Sequence, residues 1–331
     1  MTGLGYKNDL TNNMKYLIVK MYIQAEQQYQ FFQALETEDY DTCVFFAAGE
    51  WEYWVSGGDR IWSRLVEVIE RRGKKIDVVT GAHKVLSGEP VSPNIQVHHW
   101  DTHFIASTIY DWKPILNDNT YLYPYVYMNN MAHTWRCHLM DLVSKRNLLK
   151  HGAVSWHNAI CNYDWKYFKP IELKLTDSFD KNKLTLDNIF TVPIEYGQSF
   201  AQLISETSIS SIFMTEKTVI PLLAGKPFLV ATTPGYHAFL QRLGFELYTE
   251  IFDYSFDVEL DQEKRFEMVL DNFTEICSLP LLELPKYYKK IENKIKYNQQ
   301  HAMSLEHNQP KIIQDLPKHA WQPVDWCIID K

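Results

Sequence analysis

Thr215-Glu216-Lys217 sets an N-cap hydroxyl, a carboxylate and an ammonium side by side where a helix begins. Unpaired backbone N–H groups and the helix dipole favour a ligand's phosphate at such a point. A carboxylate there can accept both hydroxyls of a ribose, and a neighbouring ammonium neutralises diphosphate charge, so the two charges suit the two halves of one nucleotide. Upstream, Ile204-Ser205-Glu206-Thr207-Ser208 reads as a strand end carrying an acid. Downstream, Leu223-Ala224-Gly225-Lys226-Pro227-Phe228 reads as a turn into a buried strand. This is the layout of a nucleotide-sugar site, although the three residues alone also fit a capped surface helix with a solvated acid and base.

A second constellation, Met128-Asn129-Asn130 through His133-Thr134-Trp135-Arg136, falls where a strand hands over to a helix, which aims its side chains at the crevice beyond the strand's carboxyl end. Arg136 can give two parallel hydrogen bonds to a diphosphate; the plain alternative is a surface ion pair. In the N-terminal half, Gly49-Glu50-Trp51-Glu52-Tyr53-Trp54 follows the apolar run Cys43 to Ala48. A carboxylate at a strand end beside aromatic rings is placed to serve as a general base, with burial raising its pKa. The alternative is two rim acids with Trp51 and Trp54 packed on the domain. Asp101 is a further candidate base, and Trp51, Trp54 and Trp100 offer faces on which a sugar acceptor stacks. His98, His99, Asp101 and His103 match no helical metal pair, and Asp39-Tyr40-Asp41 precedes a strand rather than following one, so no metal site is assigned. The chain has no Gly-x-Gly-x-x-Gly, no P-loop and no Gly-x-Ser-x-Gly.

Taken whole, residues 204–230 resemble the donor-binding region of alpha-1,3-fucosyltransferases and the related bacterial and viral glycosyltransferases. Those carry Glu-Asn-Ser, then Thr-Glu-Lys, then Ala-x-x-Gly-x-Pro-Val in the C-terminal half of a GT-B fold. Here Thr207 stands at the Asn position and Phe228 at the Val position, and these departures leave sugar and base preference open. Thr233-Pro234-Gly235-Tyr236 to Leu243-Gly244-Phe245 and Phe252 to Asp257 look like the same family's next helix and strand. Related phage and giant-virus proteins read Leu-Asn-x-x-x-x-x-His-Arg and then Leu-Leu-x-x-Gly-x-Val-Ser. In this chain Trp135 replaces the His, Arg136 keeps its place, and Leu148 to Ser155 supplies the second stretch. Fucosyltransferases also carry a Gly-Glu-x-Glu after a strand, similar to Gly49 to Glu52. The resemblance spans about residues 120–300. It implies donor binding by Asn129, Arg136, Glu206, Thr207, Ser208, Thr215, Glu216 and Lys217, with the base at Glu50 or Glu52.

The elements that must carry these residues follow from pattern. Tyr16–Ile23, Cys43–Ala48, Ile76–Gly81 and Ile95–Trp100 read as strands, and Ile61, Leu65, Val68 and Ile69 give a helix stopped by Gly73. Strands alternating with helices point to parallel sheets. A turn-rich break over residues 111–120 predicts a Rossmann-like acceptor domain at 1–118 and a nucleotide-sugar-binding domain at 119–300, with a tail at 301–331 that packs back on the body. In the second, Tyr125–Asn130 is a strand, a basic helix runs from about His133 to Leu149, and Ala153–Trp156 is a strand. Residues 162–188 are an exposed excursion, and Pro193 precedes a helix leading to Ser205. The fold class is α/β, GT-B-like, with two Rossmann-like domains facing across a cleft.

The chain has 331 residues, a hydrophobic fraction of 46% and a charged fraction of 22%, the balance of a globular protein large enough for two cores. A formal net charge of −8 disfavours nonspecific nucleic-acid binding, leaving room for a local basic groove. Five cysteines without a Cys-x-x-Cys pair argue against a disulfide framework. The polar first residues and the lack of a long apolar run suggest a cytoplasmic protein. The expected activity is a metal-independent glycosyl transfer to a hydroxyl acceptor, inverting in the favoured reading with retention also open, and without a cofactor other than the nucleotide-diphosphate sugar itself. A glycan or a modified nucleobase remains open as acceptor, and so does a non-catalytic nucleotide or glycan binder on the same fold.

Overall fold

The structure is a computed structural model that describes residues 15–20, 32–47, 59–80, 92–99, 120–129, 131–157, 162–176, 192–207, 209, 212–305 and 326–330. It is a mixed α/β protein with parallel sheets, divided into one compact unit of Met1–Trp100 with Gln309–Lys331 and another of Asp101–Asn308. Among the described residues, no helix is long and apolar enough to cross a membrane.

The first unit holds a five-stranded sheet in the order β4-β3-β2-β1-β9. Its strands are β1 (Lys15–Lys20), β2 (Thr42–Ala47), β3 (Lys75–Thr80), β4 (Ile95–His99) and β9 (Trp326–Asp330). The first four run parallel, and β9 lies antiparallel on the free edge of β1. Cys43, Val44 and Phe45 on β2 are all fully buried, the continuous apolar pattern of a parallel strand covered on both faces. Helix α1 (Asp59–Arg72) buries Leu65, Val68 and Ile69 and ends at Gly73, whose φ of 60° is the left-handed stop that a side chain would resist.

The second unit holds a four-stranded, all-parallel sheet in the order β6-β5-β7-β8. These strands are β5 (Tyr123–Asn129), β6 (Ala153–Trp156), β7 (Ser199–Ile204) and β8 (Phe228–Val230). Helix α2 (Thr134–Lys145) follows β5, and the rest of the expected basic helix is a 3-10 turn, Leu148–Lys150, entered through Asn147 at φ 58°. At Gly152 a Cβ would stand 2.3 Å from the Tyr125 ring, so glycine is needed to seat that ring, whose hydroxyl donates to Leu148 O. The helix expected between Pro193 and Ser205 is the single turn α3 (Ile194–Gly197); the remainder is β7, all six residues of which are buried. Burial on both faces erases the alternation that would have marked β7 as a strand.

Helices α4 (Glu216–Ala224), α5 (Tyr236–Arg242), α6 (Gln262–Ser278) and α7 (Leu284–Leu305) complete this unit. Phe266, Val269, Leu270 and Phe273 line the buried face of α6, with Phe273 5.3 Å from the Tyr125 ring. The start of the expected exposed excursion is anchored instead. Buried Asp141 accepts hydrogen bonds from the backbone N–H groups of Lys166, Tyr167 and Phe168 at 3.1, 2.7 and 2.7 Å. Trp165 and Phe168 then pack edge-on against Trp156.

Candidate functional site

In the second unit the chain passes from β5 to β6 on one side and returns to lay β7 on the other side of β5. Connections that leave neighbouring strands in opposite directions open a crevice at their carboxyl ends, which is where open α/β sheets take ligands. Asn129 ends β5, and Ser205 and Glu206 follow β7. The two strand ends are tied by a hydrogen bond from Ser205 Oγ to Asn129 Oδ1 at 2.8 Å, and Ser155 Oγ accepts from Asn129 N at 3.2 Å. The helices that start at this edge are α2 and α4.

Glu206 is fully buried and points into the protein. Its Oε2 accepts from Thr207 N at 3.1 Å and from the Thr215 hydroxyl at 2.7 Å. Its Oε1 accepts from Thr215 N at 3.1 Å, the Thr218 hydroxyl at 2.7 Å and the Tyr236 hydroxyl at 3.4 Å. A carboxylate offers about four lone-pair positions, so five donors use it up. Glu206 is therefore a latch that holds the β7–α4 loop to the start of α4. Thr207 joins it through the backbone, and Ser208 lies outside the described residues.

The latch fixes the α4 N-terminus. Thr215 is the N-cap, its hydroxyl accepting from Lys217 N at 3.3 Å, and Gly225 ends the helix at φ 67°. In the first turn, Lys217 Nζ contacts Glu216 Oε1 at 2.6 Å, and both side chains are about a quarter exposed (25% and 22%). The pair sits at the rim rather than in the core.

Arg136, in the first turn of α2, is only 3% exposed. Its Nη1 donates to Met131 O at 3.3 Å, its Nε has no hydrogen-bond partner, and no described carboxylate lies within ion-pairing distance of it. Burial pulls its pKa below the ordinary value, against the opposing pull of Tyr127, Glu206 and Glu216. Two more buried donor groups lack partners among the described residues, Asn129 Nδ2 and Trp156 Nε1, while the buried Tyr127 hydroxyl lies beside Ser205 and Asn129. Asn129 and Trp156 are register partners on adjacent strands, and Tyr127 lies two residues earlier on the same face of β5. Three donors without acceptors, Arg136 Nε, Asn129 Nδ2 and Trp156 Nε1, suit an acceptor-rich, anionic group. No acid stands in the first turn of α2, so its positive end is uncompensated from within the helix.

Asn129, Arg136, Glu206, Thr207, Thr215, Glu216 and Lys217 thus gather around the carboxyl ends of β5 and β7. The sequence pattern missed three supporting residues, Tyr127, Thr218 and Tyr236, and placed Trp135 at the crevice without giving it a role. Trp135 donates from its indole N–H to Glu206 O at 3.2 Å and stacks on His133 at 4.5 Å with rings 1° from parallel, clamping α2 to the end of β7. Alternation could have flagged Tyr127 from Asn129, and helical spacing could have flagged Thr218 from Thr215. Glu50, Trp51, Glu52, Trp54, Trp100 and Asp101 lie outside the described residues. His98 turns to Asp77, with Nε2 to Oδ1 at 2.6 Å, an interaction between neighbouring strands of the first sheet.

No family model matches this chain, and no curated protein sequence matches it. A solved structure of the DNA-modifying enzyme beta-glucosyltransferase, studied with and without its substrate uridine diphosphoglucose, is similar to it with a TM-score of 0.38 and 8% identity, over 84% of this chain and 98% of that one. Similarity of that size assigns no role to any residue here.

Proposed function

We propose that this chain is a GT-B-type glycosyltransferase that moves a sugar from a nucleotide-diphosphate sugar to a hydroxyl acceptor, with inversion and without a bound metal. The supporting observation is Arg136, a buried guanidinium with an unpartnered Nε at the switch point of a parallel sheet. An unpaired buried charge is costly, and it is retained where a ligand completes it. On this reading Arg136, Lys217 and the α2 N-terminus hold the diphosphate and stabilise the charge that develops on it as the glycosidic bond breaks. Glu216 turns from Lys217 to the ribose hydroxyls, Asn129 adds a donor, Glu206, Thr207 and Thr215 shape the loop, and Ser208 contacts the donor. Glu50, Glu52 or Asp101 takes the proton of the acceptor hydroxyl, and Trp51, Trp54 and Trp100 carry the acceptor.

The test is a thermal-shift screen of UDP, GDP, ADP and CMP with their sugars, run on the parent and on Arg136→Met. Methionine fills the space without a charge, so the variant should melt at or above the parent when unliganded. It should lose at least tenfold in nucleotide affinity, about 1.4 kcal/mol or more. An Arg136→Met variant that binds as the parent does, or a parent that answers to no nucleotide, overturns the reading.

A further inference from the structure

We infer that His133 is a third, proton-linked cation of this site, whose imidazole takes up a proton from solvent when an anion binds between the starts of α2 and α4. The inference rests on the donor-site reading above and names a regulation of that same site. His133 is the N-cap residue of α2, the position whose surroundings are set by the positive end of the helix, and its side chain makes no capping hydrogen bond. Its ring is held rather than free. It stacks on Trp135 at 4.5 Å, and Trp135 is itself pinned by its hydrogen bond to Glu206 O. The charges that act on it come from both helices: Arg136 from α2 and Lys217 from α4, the latter paired with Glu216.

In the protein without ligand, burial and then the two cations hold the His133 pKa below the ordinary histidine value. The imidazole is accordingly neutral near pH 7. An anion seated against Arg136 and Lys217 reverses the local field, so the charged imidazole becomes the favoured form. The bound state then holds more protons than the free state, and binding tightens as pH falls through the window between the bound and the free pKa. A shift of one unit corresponds to a tenfold gain at most.

The experiment uses ligands whose own charge is constant across the range: UDP-glucose, GDP-mannose and ADP-glucose as diphosphate diesters, and sulfate as a plain anion. Affinity is measured by calorimetry at about pH 8 and pH 5.5 for the parent and His133→Gln. The His133 ring is also followed by NMR, identified among the 12 histidines by the resonance that His133→Gln removes. The expected result is several-fold tighter diester binding at the lower pH in the parent, a flat response in His133→Gln, and a raised His133 pKa at saturating ligand. A His133 pKa that saturating diester and sulfate both leave unchanged overturns the inference, as does a pH response that persists in His133→Gln. Sulfate that raises the His133 pKa while no diester binds upholds the proton-linked anion site and sinks the donor reading.

Discussion

Glu206→Gln replaces one oxygen by an NH2 at nearly constant volume, on the carboxylate that joins the end of β7 to the start of α4. An amide supplies a single acceptor oxygen. If that oxygen takes the place of Oε1, it keeps Thr215 N–H, the Thr218 hydroxyl and the Tyr236 hydroxyl, but the NH2 then faces Thr207 N–H and the Thr215 hydroxyl. The backbone N–H of Thr207 cannot turn round, and the Thr215 hydroxyl can accept only by leaving its own proton without an acceptor. The opposite orientation strands Thr215 N–H in the same way. One buried donor left unsatisfied costs about 1–3 kcal/mol, and the surviving bonds fall from charge-assisted to neutral strength, for a total of about 2–4 kcal/mol. In a unit the size of Asp101–Asn308 this lowers the melting temperature by roughly 5–12 °C. Thermal and urea unfolding followed by near-UV circular dichroism measures it. A variant within about 0.5 kcal/mol of the parent that has nonetheless lost nucleotide binding would show that the carboxylate faces the ligand and latches nothing.

Lys226 is buried, donates to Ser199 O, and lies 4.8 Å above the Tyr196 ring; burial lowers its pKa to about 7. The unfolded chain keeps that proton up to the ordinary lysine value of about 10.4 and so binds more protons in between, which makes stability rise with pH by about 2 kcal/mol from pH 7 to 9. Lys226→Met should remove that slope, and a slope unchanged in the variant refutes the assignment. Of Glu50→Gln, Glu52→Gln and Asp101→Asn, one should slow sugar transfer by about two to four orders of magnitude while donor affinity stays, because a general base acts in the transition state. Full turnover in all three removes them as the base. Turnover should also survive EDTA; loss on chelation with recovery in manganese would contradict a diphosphate held by Arg136 and Lys217.

The sequence by itself determined what depends on neighbouring residues. The Thr215 cap, the stops at Gly73 and Gly225, and the start of a helix just before Arg136 were legible because capping and left-handed glycine act over three or four residues. Strands β1 to β6 were legible as apolar runs. Of β7 only the end at Ile204 was legible, and the residues before it read as helix, since a strand buried on both faces and a buried helix share one apolar pattern. Tertiary structure alone decided which way each charge points. Glu206 and Glu216 are both acids beside a threonine, yet one is turned inward onto donors from the β7–α4 loop, α4 and Tyr236, and the other meets Lys217 at the rim. Arg136 could have been a surface ion pair by its spacing, and only tertiary packing buries it, near Glu206 and Glu216 but in an ion pair with neither. Burial and partnership are set by residues far apart in the chain, which is why strand ends and helix starts could be read from the sequence and the electrostatics of the residues they carry could not.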